Sequence, residues 1–239
     1  MPSNTSELPE WQKVFSAAAH LQQLFPDAVL VGGTAVAIYT QHRLSTAADH
    51  VLTDLRHRFE EVLAQLESVA GWKTARIRQP VQILGSLDGI ETGIRQLIRD
   101  QPLETKQIER FGQKLTIPTL AEMLRIKAVL ILKRNATRDY LDFAALFEQI
   151  GDEHAISALR SFDTLYPQSN GESAVQQLQI QLASPMPFDL DEAKLPQYKM
   201  LAPKWHDWNA VRQACITCAN LIFDRIIGGQ DEETLTPPA

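Results

Sequence analysis

A short apolar run, Ala28–Val31, stops at Gly32-Gly33, and helix-forming residues begin at once with Thr34. Paired glycines at such a junction mark a sharp strand-to-helix turn in which no side chain covers the backbone. A buried strand feeding directly into a helix then leaves the first-turn N–H groups open to an anionic group, phosphate above all. Taken alone, Gly-Gly-Thr also suits an ordinary strand-to-helix connection.

The surrounding pattern predicts an α+β protein. Leu8–Leu24 reads as an opening helix, and Thr34–Gln41 as a second. Asp54–Ala70 is strongly amphipathic, with Leu55, Phe59, Val62, Leu63 and Leu66 on one face. Strands are predicted at Lys73–Arg78, Val81–Leu84, Gly89–Ile98 and Phe111–Ile117, with a turn at Gly85–Gly89. Helices follow at Leu120–Lys133, Arg138–Ile150, Ala155–Leu165, Gly171–Ala183 and Trp208–Ile227, with a linker-like stretch at Ser184–Asp189. The expected organisation is a β-containing core over residues 1–117, a helical region over 118–230 and a disordered tail over 231–239.

Of the 239 residues, 44% are hydrophobic, too many for a disordered chain. No apolar run reaches the ~20 residues that span a bilayer, and the polar opening lacks a signal peptide's apolar centre, so the cytoplasm is the expected compartment. A net charge of -6 argues against a generic DNA-coating protein. It leaves room for a local basic patch that binds RNA phosphates. Lys73, Arg76, Arg78, Arg95 and Arg99 form a candidate patch of that kind, though the same pattern suits a solvated sheet face. Cys215 and Cys218 have CxxC spacing but lack the two further ligands of a zinc site; a buried, reduced pair is the expected state. Trp205-His206-Asp207-Trp208 reads as a helix start with anchoring aromatics; His42, His50 and His57 recur without the ligand spacing of a zinc site, and His50 reads as a surface histidine.

A second cluster carries chemistry. Ile117-Pro118-Thr119-Leu120-Ala121-Glu122 leads to Arg125 and Lys127, and Arg134 is followed by Arg138-Asp139-Tyr140-Leu141-Asp142. Lys127 and Arg134, seven apart, share a helix face, and Asp139 and Asp142 lie one turn apart on the next helix. Without the glycine motif this is an exposed helical pair with surface ion pairs worth a few tenths of a kcal/mol each.

Together the two clusters resemble the AbiEii/AbiGii family of nucleotidyltransferase toxins, within the DNA polymerase β-like nucleotidyltransferase superfamily. The resemblance spans Val29–Gln149 and rests on order and spacing: Gly-Gly-Thr, then Arg43-x-Ser45 and an acidic position, then the Ile-Pro-Thr-Leu-x-Glu helix with Lys127, then Arg-Asp-x-x-Asp. It implies a polymerase β-like core, NTP as substrate and Mg2+ as cofactor. By the same resemblance, Gly32, Gly33 and Thr34 cradle the triphosphate, with Arg43 and Ser45 supporting the loop or touching phosphate. Lys127 offsets triphosphate charge, Asp142 completes the site, and Asp139 pairs with a neighbouring cation. The superfamily's Asp-x-Asp metal pair falls on Ala47-Ala48-Asp49, so Asp49 stands and the first ligand position is Ala47. Either an engineered Asp→Ala change or a naturally degenerate site accounts for that departure. A third carboxylate is expected on a central strand, with Glu91 favoured over Asp88, which falls in the turn. The implied reaction transfers NMP to an RNA acceptor, often the 3′ end of tRNA, under control of a cognate antitoxin. The alternative is a catalytically degenerate nucleotide- or RNA-binding protein.

Overall fold

The computed structural model describes residues 9–198 and 200–228, so the tail predicted over 231–239 lies outside the described residues. The chain divides into two units, one ending at Thr119 and one starting at Leu120.

In the first unit, α1 (Pro9–Leu24), β1 (Val29–Leu30), α2 (Gly32–Thr40), β2 (Ala47–Leu52), α3 (Phe59–Glu67), β3 (Trp72–Arg78), β4 (Gln82–Leu87), β5 (Ile90–Gln96), β6 (Thr105–Arg110) and β7 (Gln113–Pro118) follow in order. Five strands form one sheet in the order β1-β2-β5-β4-β3, and β6 with β7 forms a separate hairpin. The central pair, β2 and β5, is parallel; the other pairs are antiparallel. Alternation decides which face is covered. Leu52, Ile83 and Ile94 are buried with Leu55, Phe59, Val62 and Leu66, so α3 covers that face. Ala48 lies in an adjoining core with Trp11, Phe15, Leu30, Leu115 and Ile117. Each such Leu, Ile or Phe contributes about 1.5–3 kcal/mol by leaving water. The residues between them, Ala47, Asp49, Val51, Leu84 and Ser86, are only partly buried, which leaves the opposite face of the sheet accessible.

Several expected boundaries move. The stretch Ala47–Leu52, read as no particular element, is the inner strand β2, between β1 and β5. The helix expected over Asp54–Ala70 is confined to α3, and residues 55–57 form a turn in which His57 N–H donates to Asp54 O at 2.9 Å. Gly85–Leu87 continues β4, and the turn is Asp88-Gly89 alone, with φ of 52° and 81°. Two consecutive positive φ values are what a two-residue hairpin loop requires. Asp88 is thus a turn residue, 65% exposed, beside His20.

The second unit is helical: α4 (Leu120–Arg134), α5 (Thr137–Ile150), α6 (Asp152–Leu159), α7 (Phe162–Leu165), α8 (Ala174–Ala183) and α9 (Trp208–Ile222). Ser184–Asp189 is not a free linker. Asp189 Oδ1 accepts from the Thr137 N–H (2.7 Å) and hydroxyl (2.9 Å), capping the start of α5 from a distance. Phe188 N–H donates to Asn135 O, and Asn135 Nδ2 to Met186 O. Asp207 caps α9 by accepting from Asn209 N–H, with Trp205 and Trp208 buried on either side, as the aromatic helix start predicts. Cys215 and Cys218 are buried, reduced thiols, and burial pushes both upward in pKa.

Candidate active site

The glycine turn is fastened to the inner strand β2 by backbone and side chain. Val31 N–H donates to Asp49 O (2.8 Å), and the Thr34 hydroxyl donates to Ala47 O (2.5 Å). Thr34 is fully buried, so its hydroxyl holds α2 against β2, leaving the backbone of the turn as the group that faces outward. The two glycines are needed for different reasons. Gly32 has φ +73°, a left-handed conformation that L side chains rarely adopt, and a Cβ there would sit 3.4 Å from Asp49 Oδ2. Gly33 has ordinary backbone, but a Cβ would overlap the Arg43 guanidinium. Arg43 is 6% exposed and reaches Leu44 O at 3.5 Å, so a buried cation lies over the first turn of α2. The helix N-terminus and that cation both favour an anion there. Ser45 is buried.

On the accessible face, parallel pairing sets Ala47 beside Glu91, Asp49 beside Gly93 and Val51 beside Arg95. Asp49 and Glu91 are therefore diagonal neighbours on the same face, one on each strand of the parallel pair. Arg95 Nη2 stands 3.8 Å from Asp49 Oδ1. Gly93 was not singled out by the sequence, although a lone glycine inside a strand signals close backbone approach. A Cβ on Gly93 would lie 2.5 Å from Leu84 Cδ2 and 2.7 Å from Ile83 O, so glycine there lets β4 pack closely against β5.

Among the described residues no group of three or more His, Cys, Asp or Glu side chains is arranged to hold a metal ion. Ala47, which pairs directly with Glu91, offers no oxygen donor there. The hard oxygen donors present, Asp49 and Glu91, fit a Mg2+-type ion that takes its other ligands from substrate phosphates and water. They do not fit an all-protein cage.

The covered side of β2 holds a second surprise. His50, expected at the surface, is fully buried: Nδ1 bonds Ala48 O at 3.0 Å and Nε2 has no partner. Burial pushes its pKa down to about 4, so the imidazole is neutral. Thr92 donates to the same carbonyl at 2.5 Å. Arg99 also departs from expectation. It is buried and bonds Gln101 O and Pro102 O, tying down the loop after β5 and leaving the basic face.

In the helical unit, the second motif is a buried charge cluster. Lys127 Nζ lies 2.6 Å from Asp142 Oδ2 and 3.2 Å from Asp139 Oδ1. Arg134 forks onto Asp139 at 2.5 and 2.8 Å, so Asp139 does pair with neighbouring cations. The two carboxylates are 0% exposed and the Lys127 side chain 2%. Two cations against two anions make the cluster neutral, which is what allows its burial. Burial alone pushes the Asp139 carboxyl up, but Lys127 and Arg134 outweigh it and hold the group below the usual carboxylate range. The exposed helical pair of the sequence reading is thus replaced by a buried network.

A glycine turn at a helix start thus faces a carboxylate-bearing inner strand in an α+β core. The family model for the nucleotidyl transferase AbiEii toxin of type IV toxin–antitoxin systems matches residues 15–226, and the chain belongs to that family. That family is described as one of nucleotidyl transferases.

The chain is also 36% identical over 124 residues to the haem uptake protein MmpL11 of Mycobacterium tuberculosis, covering 51% of this chain and 12% of that protein. The mycolic acid-containing lipids exporter MmpL11 of Mycolicibacterium smegmatis is 34% identical over 124 residues, covering 51% and 13%. The chain spans about an eighth of the length of these relatives. No helix among the described residues is long and apolar enough to cross a membrane. Among solved structures, the antibiotic-resistance factor ANT(2'')-Ia matches with a TM-score of 0.49 at 9% identity, over 64% of this chain and 91% of that one. A Helicobacter pylori protein assigned as a nucleotidyltransferase matches at 0.47 and 15% identity, over 95% and 97%.

Proposed function

We propose that this chain is the toxin of a toxin–antitoxin pair, built to transfer NMP from an NTP to the 3′ end of an RNA acceptor of the tRNA class, with Mg2+ as the metal. Its present transfer capacity is curtailed by Ala47. One observation carries the reading: the bare turn at Gly32-Gly33 and the carboxylates Asp49 and Glu91 belong to one accessible side of the inner strands, with the buried Arg43 guanidinium against Gly33. Family membership supports the reaction class, and the motif order supports the choice of residues.

The roles follow from chemistry. The first-turn N–H groups of α2 and the Arg43 guanidinium receive the triphosphate and offset its charge. Asp49 and Glu91 are the residues that would hold Mg2+, which when bound neutralises phosphate charge and makes an acceptor hydroxyl more acidic. That hydroxyl attacks the α-phosphate, a new P–O bond forms, the α–β bridge breaks and pyrophosphate leaves. The protein's share is positioning and fixed charge. Lys127 and Asp142 are proposed as further requirements for transfer, on the motif order alone. A cognate antitoxin is the proposed partner in the cytoplasm.

A second reading, a nucleotide- or RNA-binding protein without transferase activity, is favoured by two observations: the alanine beside Glu91 and the Arg95 guanidinium near Asp49. The test is transfer of label from each α-labelled NTP into total RNA by this chain and by Ala47→Asp. Label entering RNA with Ala47→Asp, and blocked when the RNA 3′ ends are oxidised, supports the transferase. Nucleotide binding without transfer by either form supports the second reading.

A further inference from the structure

The edge strand β3 carries three cations whose alignment depends on an irregularity that the sequence does not announce. Lys73 pairs with Ser86, Arg76 with Leu84 and Arg78 with Gln82, while the register shifts between Thr74 and Arg76. That shift is a β-bulge at Ala75. Side chains alternate along a regular strand, so residues 73 and 76 would face opposite sides. The extra residue cancels the odd spacing and turns Lys73, Arg76 and Arg78 to one side.

Which side follows from the ladder. Ser86, Leu84 and Gln82 pair onward with Glu91, Gly93 and Arg95, and these with Ala47, Asp49 and Val51. The three cations therefore share the accessible face with Asp49 and Glu91. The other side of β3 is accounted for: Trp72 donates to Thr74, Thr74 to Glu67 of α3, and Trp72 packs with the core beneath α3. Lys73, Arg76 and Arg78 are exposed, and none of them makes a described ion pair. Between them and Asp49 the face carries Arg95 as its other cation and neutral side chains on β4. Adjacent strands are about 4.8 Å apart, so β3 lies about 14 Å across the sheet from β2.

We infer that this row is the track on which the single-stranded end of the polynucleotide acceptor lies on its way to Asp49. The occupant is RNA backbone: closely spaced phosphates match a row of cations, and the row shares its sheet face with the reaction carboxylates. The inference rests on the proposed acceptor class. The competing account is that cations on an edge strand only discourage edge-to-edge pairing of two sheets.

The probe is a 5′-fluorescein single-stranded RNA of about 12 nucleotides, with binding measured by anisotropy at several salt concentrations. Each lost phosphate contact lowers the salt slope by about 0.7. Lys73→Gln/Arg76→Gln/Arg78→Gln should therefore lower it by about 2 and weaken binding on the order of 50-fold near 0.15 M salt. Thr74→Arg/Arg76→Thr keeps the net charge but moves one cation to the α3 side; it should lower the slope by about 0.7 and weaken binding roughly 4-fold. Unchanged affinity in the triple variant overturns the track, and light scattering that rises instead identifies an edge guard. Full binding by the charge-conserving swap also overturns it, since total charge alone would then suffice. If the track fails while Ala47→Asp still labels RNA, the proposed function stands. If no form binds RNA although NTP binds, the track and the RNA acceptor fall together.

Discussion

Replacing Lys127 with Met is expected to unsettle the helical unit itself. The Nζ group is 2.6 Å from Asp142 and 3.2 Å from Asp139, and both carboxylates are 0% exposed. Arg134 stays on Asp139 through two bonds, so the deficit falls on Asp142, which loses its 2.6 Å cation. Removing one partner of a buried ion pair costs about 3–5 kcal/mol. For a chain of this size that lowers Tm by about 6–20 °C. Lys127→Met/Asp142→Leu removes both charges and should return to within about 1 kcal/mol of the parent, because paired apolar replacement is often neutral. The assay is urea unfolding of the three forms, checked by calorimetry. Equal losses in the single and double variants, or less than about 1 kcal/mol in the single, would refute the reasoning. The result also governs how activity is read: loss of transfer in Lys127→Met counts as chemistry only once the fold is shown to persist. Because the Asp139 carboxyl is held below its unfolded value, its contribution is present above that unfolded value. It is lost as pH falls through the folded one.

Three further outcomes are expected. Gly33→Ala should cost about 1–3 kcal/mol and weaken NTP binding, because its Cβ must displace the buried Arg43 guanidinium; calorimetry beside nucleotide titration compares it with Gly32→Ala, which is strained by its left-handed backbone. The His50 imidazole, folded pKa about 4 against 6.5 unfolded, binds its proton in the unfolded state first as pH falls. Stability should thus drop between pH 6.5 and 4, by about 2 kcal/mol from pH 7 to 5, and His50→Gln should flatten that slope in urea titrations. Cys215 and Cys218 should resist a thiol reagent in the folded protein and react fully in denaturant, whereas prompt reaction in the folded state would contradict their burial.

The helices with strong periodicity and clear punctuation were legible from sequence. The opening helix, the two helices around Lys127 and Asp142, and the capped start at Asp207 lie close to where the pattern put them. The inner strand β2 was not legible. Ala-Ala-Asp-His has little strand preference, and β2 exists because β1 and β5 flank it on both sides. Nor was β6, whose residues are nearly all exposed and show no alternation. The glycine turn was legible as a break between strand and helix, whereas Asp49 was reached only through the family resemblance. Gly93 and the Ala75 bulge were not legible, because their meaning lies in pairing between strands. His50 and Arg99 were misread for one reason: a polar side chain in a sequence gives no sign of whether the fold encloses it.

The central claim is that the accessible face around Asp49 receives a metal-bound nucleotide. Calorimetric titration of Mg·NTP into this chain, Ala47→Asp and Ala47→Asp/Asp49→Asn tests it most directly. The account predicts tightest binding by Ala47→Asp, weaker binding by the parent chain, and loss of the Mg2+-dependent part when Asp49 is also removed. Equal affinity in all three, with or without Mg2+, would contradict it.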